Sequence, residues 1–149
     1  MHIYGIGTDI VECRRIARML ERHGDTFLRR VYTEREIAYC QKRKRALEHF
    51  AGRWAAKEAV FKALGTGWAK GMAWTDIEIV HDSLGQPLVH AQATVRDYMK
   101  SVGIEKILLS ISHCRHYATA CAIALVASPD NLEPLTEASK PLPPDTHET

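Results

Sequence analysis

Apolar residues alternate in some stretches of the chain and recur every three to four positions in others. Residues 3–11 (IYGIGTDIV) mix β-branched residues with glycine and predict a mostly buried strand. Gly5 and Gly7 inside it point to a bulge or a close backbone approach. Over 12–22, Cys13, Ile16, Ala17 and Leu20 recur at helical spacing, and His23-Gly24 ends the run. Asp25 is suited to cap a short turn through Leu28. Thr33 with Glu36 fits a capping box that opens a helix towards Cys40. The longest helical pattern, about 46–64, is rich in alanine and stops at Gly65-Thr66-Gly67. Residues 74–80 alternate like a strand, 85–87 read as a turn, 88–91 as a short strand and 93–102 as a helix ended by Gly103. Strands over 106–112 and 117–126, joined by 113–116, close the pattern. The order is mixed rather than strictly alternating. It predicts an α+β fold, a small, mostly antiparallel sheet packed against helices that include one long central helix.

With 149 residues and 46% hydrophobic content, the chain suits one globular domain. Charge divides it. Residues 129–149 hold five of the six prolines, five acids and one base, and so carry −4, whereas 1–128 carry +6 from 19 bases and 13 acids. A Pro-rich, acidic stretch with few apolar residues buries too little surface to offset its ordering entropy. The expected organisation is therefore a basic domain, 1–128, followed by a flexible tail, 129–149. No apolar run approaches the roughly 20 residues of a membrane-spanning helix, and the N-terminus lacks a secretory pattern. A cytoplasmic location is expected, with Cys13, Cys40, Cys114 and Cys121 reduced; their spacing fits neither a zinc site nor a disulfide framework.

Several residues invite chemistry. Asp9 lies among apolar and glycine neighbours, where a carboxylate is expensive unless paired or metal-bound; a place on the polar face of an edge strand is the alternative, and the pattern leaves both open. In the long helix, Phe50, Trp54, Phe61 and Leu64 share one face, and Glu58 and Lys62 share the next, with Ala51 and Ala55 on the preceding turns. Spacing alone favours an ordinary Glu–Lys helix pair, worth roughly 0.2–0.5 kcal/mol. Lys57 falls within the apolar stripe and must snorkel or find a partner. Arg53, Lys57 and Lys62 together would make this helix attractive to phosphate. Gly65-Thr66-Gly67 is either a plain helix cap or an anion-binding turn. Ser112-His113-Cys114-Arg115-His116 is too compact for a metal site and fits a hairpin end with one histidine near a ligand. Arg14, Arg18 and Arg22 form one row on the first helix, with Arg15 beside them; they suit an acidic partner, protein or nucleic acid. No recognisable nucleic-acid-binding signature is present.

GIGTDIVE at 5–12, FAGRWAAKEAVFKALGTG at 50–67, GMAWTDIEI at 71–79 and SISH at 110–113 occur in one order and at characteristic separations. Over about 1–127 the chain resembles the short bacterial 4′-phosphopantetheinyl transferases, the holo-[acyl-carrier-protein] synthase family. The tail 129–149 and the residues after SISH depart from the family pattern. The resemblance implies transfer of the phosphopantetheine arm of coenzyme A to a serine of apo acyl carrier protein, releasing adenosine 3′,5′-bisphosphate. It implies Mg²⁺ held by Asp9 and Glu58, and a catalytic role for Lys62 beside them. Arg53, Lys62, Gly65, Thr66 and His113 become candidate contacts for coenzyme A. Arg14, Arg18 and Arg22 become the docking row for the carrier protein, not for nucleic acid. A homotrimer with active sites in clefts between subunits is also implied. The serine proton could pass to Glu58, Asp9 or a metal-bound water, and the sequence does not choose among them. The competing reading is a small basic nucleic-acid-binding domain without enzymatic activity.

Overall fold

The computed structural model describes residues 1–66 and 71–127. The expected tail 129–149 and Gly67 of the glycine turn lie outside the described residues. In chain order the elements are β1 (His2–Glu12), α1 (Cys13–Val31), α2 (Glu34–Gln41), α3 (Ala46–Leu64), a 3-10 turn (Trp74–Asp76), β2 (Ile77–His81), β3 (Pro87–Ala91), α4 (Ala93–Val102), β4 (Ile104–His113) and β5 (Tyr117–Val126).

The α+β expectation holds, with the strands divided between two antiparallel sheets. One has the order β1-β5-β4 and the other pairs β2 with β3. In the larger sheet, Ile6 faces Ile123 and Leu108 faces the same residue from the other side. Paired residues point to one face of a sheet. The inner face carries Ala118, Ala120, Ala122, Ala124 and Val126, all buried under α3. Small side chains along the central strand let the helix lie close.

The outer face carries Ile3, Ile6, Ile10, Leu108, Ile123, Leu125 and Tyr117. Ile6 is 63% and Ile10 68% exposed. The strand reading anticipated burial of 3–11; only its inner face is covered.

Three local departures have physical causes. The first helix does not finish at His23. It bends at Gly24, whose φ of 49° lies outside the helical range, and continues to Val31, because Phe27, Leu28 and Val31 are buried in the core. Residues 74–76 form a 3-10 turn rather than strand, closed by the Asp76 N–H donating to Ala73 O at 3.0 Å. The long helix is not one-sided. It is central, and every position from Phe50 to Leu64 is buried except Glu58 and Lys62. No helix among the described residues is long and apolar enough to cross a membrane.

Candidate active site

The site begins with three alternate positions of β1. Gly5, Gly7 and Asp9 point to the face that receives α3. A Cβ at Gly5 would collide with Ala63 O, and one at Gly7 with Ala59 O. Glycine is needed at both because helix and strand touch backbone to backbone. Asp9 is the next inward position, beyond the glycines. There the helix presents its one opening, Glu58 and Lys62. The Lys62 ammonium donates to Asp9 Oδ1 at 3.1 Å and to Thr8 O at 2.9 Å. The first reading of Asp9 is therefore the correct one: it is paired, and it is not on the solvent face of an edge strand.

Glu58 is half-buried and makes no ion pair among the described residues. Burial raises its pKa above the ordinary carboxylate range, and the nearby charge of Asp9 adds to the rise; Lys62 and Arg15 oppose it. The ordinary Glu58–Lys62 helix pair is not what forms, since Lys62 turns to Asp9. Two carboxylates from facing elements, one lacking a compensating cation, suit a shared divalent ion. Among the described residues no group of three or more His, Cys, Asp or Glu could hold a metal. Two carboxylates are the number used where substrate phosphate oxygens and water complete a Mg²⁺ shell, so the residues fit that ion.

Lys57 solves its problem by finding partners. It is fully buried, and its ammonium donates to Glu36 Oε1 and Val31 O, each at 2.7 Å, and to Trp74 O at 3.1 Å. Desolvation lowers its pKa, and the Glu36 carboxylate opposes the fall. Glu36 also closes the expected capping box, accepting from Thr33 N at 3.0 Å while Glu36 N donates to Thr33 Oγ1 at 3.3 Å. One capping glutamate thus ties α2 to α3. Lys57 is a structural anchor and takes no part in phosphate binding.

Arg53 and His113 lie elsewhere. They line a cleft of about 130 Å³ with Tyr39, His49 and His81. Arg53 is 3% exposed, and its closest partners are His81, the Tyr39 ring and Glu36. His113 ends β4, at the hairpin the sequence indicated, and its Nδ1 donates to Glu48 Oε2 at 2.9 Å. Within one chain these two candidates are not brought to Asp9. Gly65 caps α3 in the left-handed conformation, φ 74°, its N–H donating to Lys62 O at 3.1 Å. It therefore follows Lys62 by about one turn. The Thr66 hydroxyl donates to Met72 Sδ at 3.5 Å.

On α1, Arg14, Arg15, Arg18 and Arg22 are exposed, and none has an ion pair among the described residues. Arg15 and Arg18, with Glu12, Ile10 and Tyr117, border a groove of about 330 Å³. Sequence reasoning set Arg15 beside the arginine row and gave it no place near Glu58. Arg15 lies over the Trp54 ring at 5.6 Å and its charge reaches Glu58. Its place three residues before Arg18 was the only available signal.

A family model described as the 4′-phosphopantetheinyl transferase superfamily matches residues 5–122. The holo-[acyl-carrier-protein] synthase of Protochlamydia amoebophila is 49% identical over 119 residues, covering 80% of this chain and 95% of that protein. That of Chlamydia pneumoniae is 50% identical over 125 residues, covering 84% and 99%. Among solved structures, the Neisseria meningitidis holo-[acyl-carrier-protein] synthase aligns with a TM-score of 0.78 at 35% identity, covering 83% of this chain and 99% of that one. The Helicobacter pylori enzyme in complex with coenzyme A aligns with a TM-score of 0.72 at 32% identity, covering 80% and 99%.

Proposed function

We propose that this chain, which belongs to the 4′-phosphopantetheinyl transferase superfamily, moves the phosphopantetheine arm of coenzyme A onto a serine of apo acyl carrier protein. The products are holo acyl carrier protein and adenosine 3′,5′-bisphosphate. The observation that carries this reading is the single opening in the buried face of α3, where Glu58 and Lys62 meet Asp9. Nothing comparable supports a non-enzymatic nucleic-acid-binding domain.

In the reaction, the serine hydroxyl attacks the β-phosphate of coenzyme A in line with the departing oxygen of the α-phosphate. Asp9 and Glu58 would hold Mg²⁺, which when bound neutralises diphosphate charge. Lys62 faces the same point with a half-exposed ammonium and stabilises the charge that develops on the leaving phosphate. The serine proton needs an acceptor. Glu58, which has no ion pair among the described residues, or a water beside the ion would accept it. Gly65 and Thr66 contact coenzyme A close to Lys62.

Arg53 and His113 are assigned to the adenosine end of coenzyme A, and they act from a neighbouring subunit. Two features support a homotrimer. Both candidates line a cleft apart from Asp9 in their own chain, and the apolar outer face of the larger sheet lacks a cover among the described residues. A threefold ring repeats one heterologous contact and closes on itself. The exposed arginines of α1 receive the acidic carrier protein. The carrier protein links the chain to fatty acid biosynthesis in the cytoplasm.

Incubation with apo carrier protein, coenzyme A and Mg²⁺, read by intact mass, tests the reading. One added phosphopantetheine per carrier protein is expected, lost on chelation of the metal. An unmodified carrier protein under saturating conditions would refute it.

A further inference from the structure

The cleft that holds Arg53 and His113 contains two more imidazoles. His49, from α3, meets His113 edge-on with ring centroids 5.3 Å apart. His81, from β2, stacks on Tyr39 with centroids 5.1 Å apart and planes 10° from parallel. Tyr39 in turn carries the guanidinium of Arg43 at 3.3 Å and that of Arg53 at 4.1 Å. Four basic groups from α3, β2 and β4 thus line one small cavity, with Arg43 behind the Tyr39 ring.

Hydrogen bonding decides whether Nδ1 carries a proton in two of them. An arginine only donates, so an Arg53 N–H donates a hydrogen bond to His81 Nδ1 at 3.4 Å, and His81 is neutral in this contact. A carboxylate only accepts, so His113 Nδ1 carries a proton towards Glu48 and its Nε2 is left to the cleft. Among the described residues the buried Arg53 Nε has no hydrogen-bond acceptor; Glu36 Oε2 lies 3.9 Å away, too far for one. A second proton on His81 would break its contact with Arg53 and set two cations together. A second proton on His49 would likewise lie near His113, Arg43 and Arg53, with Glu48 the opposing charge. For His81 the cations are Arg53 and Arg43, with Asp82 opposing. Burial and these neighbours lower the pKa of both histidines. An anion placed among them reverses that balance, because each added positive charge then gains a partner.

We propose that His49 and His81 complete, with Arg53 and His113, a clasp for a phosphate monoester dianion, and that they take up protons from solvent as the dianion enters. This rests on the assignment of Arg53 and His113 to coenzyme A, whose 3′-phosphate is such a group. His49 and His81 are then binding residues that tie substrate affinity to pH.

Calorimetric titration of the full chain with adenosine 3′,5′-bisphosphate, near pH 7.5 in two buffers of different ionisation enthalpy, counts the protons. Net uptake is expected for the wild type. Affinity should weaken by up to about tenfold per pH unit for each proton taken up. Adenosine 5′-diphosphate, which lacks the 3′-phosphate, should bind with little uptake. In His49→Gln and His81→Gln the uptake should fall stepwise while binding persists through Arg53 and His113; unchanged thermal melting of each variant shows that the fold is kept. Wild-type binding without proton uptake, or uptake undiminished in both variants, would overturn the clasp. Absence of any binding would overturn the coenzyme A assignment beneath it as well.

Discussion

Lys57 and Glu58 are neighbours in the chain, yet α3 seals one inside the core and opens the other to the site. Lys57 is spent on Glu36 and two backbone carbonyls. Glu58 is left with a carboxylate neighbour and no ion pair. The helix therefore separates a charge that builds the fold from a charge held open at the candidate site.

Lys57→Met should destabilise the fold by about 3–5 kcal/mol, because Glu36 would be left as a buried carboxylate. Its remaining donors, Thr33 N and Ile79 N, place the loss towards the lower end. Urea unfolding reads it. If Lys57 bound substrate instead, stability would change little and the KM for coenzyme A would rise.

Glu58→Gln should move stability and activity in opposite directions. A carboxylate with a raised folded pKa binds more protons folded than unfolded. It costs nothing below the ordinary carboxylate range and destabilises progressively as pH rises through the raised value. The amide removes that penalty, so Tm at neutral pH should rise while transfer falls by about two orders of magnitude or more. Added Mg²⁺ should raise Tm in the wild type only. A lower Tm for the variant would contradict the electrostatic account.

Gly7→Ala should cost about 1–3 kcal/mol through overpacking. The new Cβ would also lie 2.8 Å from Lys62 Cβ, so kcat should fall in addition. Gly5→Ala strikes only the Ala63 backbone and should affect stability more than turnover. Thermal melts beside single-turnover rates separate the two.

Wild-type protein should scatter light as a particle of about three times the 16.8 kDa chain. Ile6→Glu, on the outer sheet face, should yield monomers with little activity. An active monomer would remove the interface from the catalytic scheme.

Arg14→Glu and Arg18→Glu should raise the KM for carrier protein several-fold with little change for coenzyme A. Exposed charges are screened within about 8 Å at physiological salt, so the wild-type rate at limiting carrier protein should fall as salt rises. Arg15→Glu should also lower kcat, because its charge reaches Glu58. An unchanged KM in all three variants would take α1 out of the docking surface.

Most of the architecture was legible because local signals agreed. The capping box at Thr33, the alternation of 106–112 and 117–126, and the glycine after Leu64 each name an element without tertiary information. Long-range packing explains the rest. Nothing near Gly24 announces that Phe27, Leu28 and Val31 will carry the helix on. The division into two sheets depends on pairing partners far apart in sequence. For the site, motif resemblance singled out Asp9, Glu58 and Lys62, whereas spacing alone made the last two an ordinary helix pair. Only the fold reveals that α3 is covered everywhere else along that stretch. Arg15 was read only as part of the arginine row and His49 was passed over, because the neighbours that surround them lie on other segments.

The contact of β1 with α3 at Gly5 and Gly7 has a consequence for precision. Side chains hop between rotamers, and a spacing set by side chains inherits that play. Here the spacing between the strand bearing Asp9 and the helix bearing Glu58 is set by main-chain atoms in direct touch, which have no rotamers to exchange. The gap offered to an ion is thereby gauged by the stiffest part of the molecule, and only its two carboxylate arms are left to adjust.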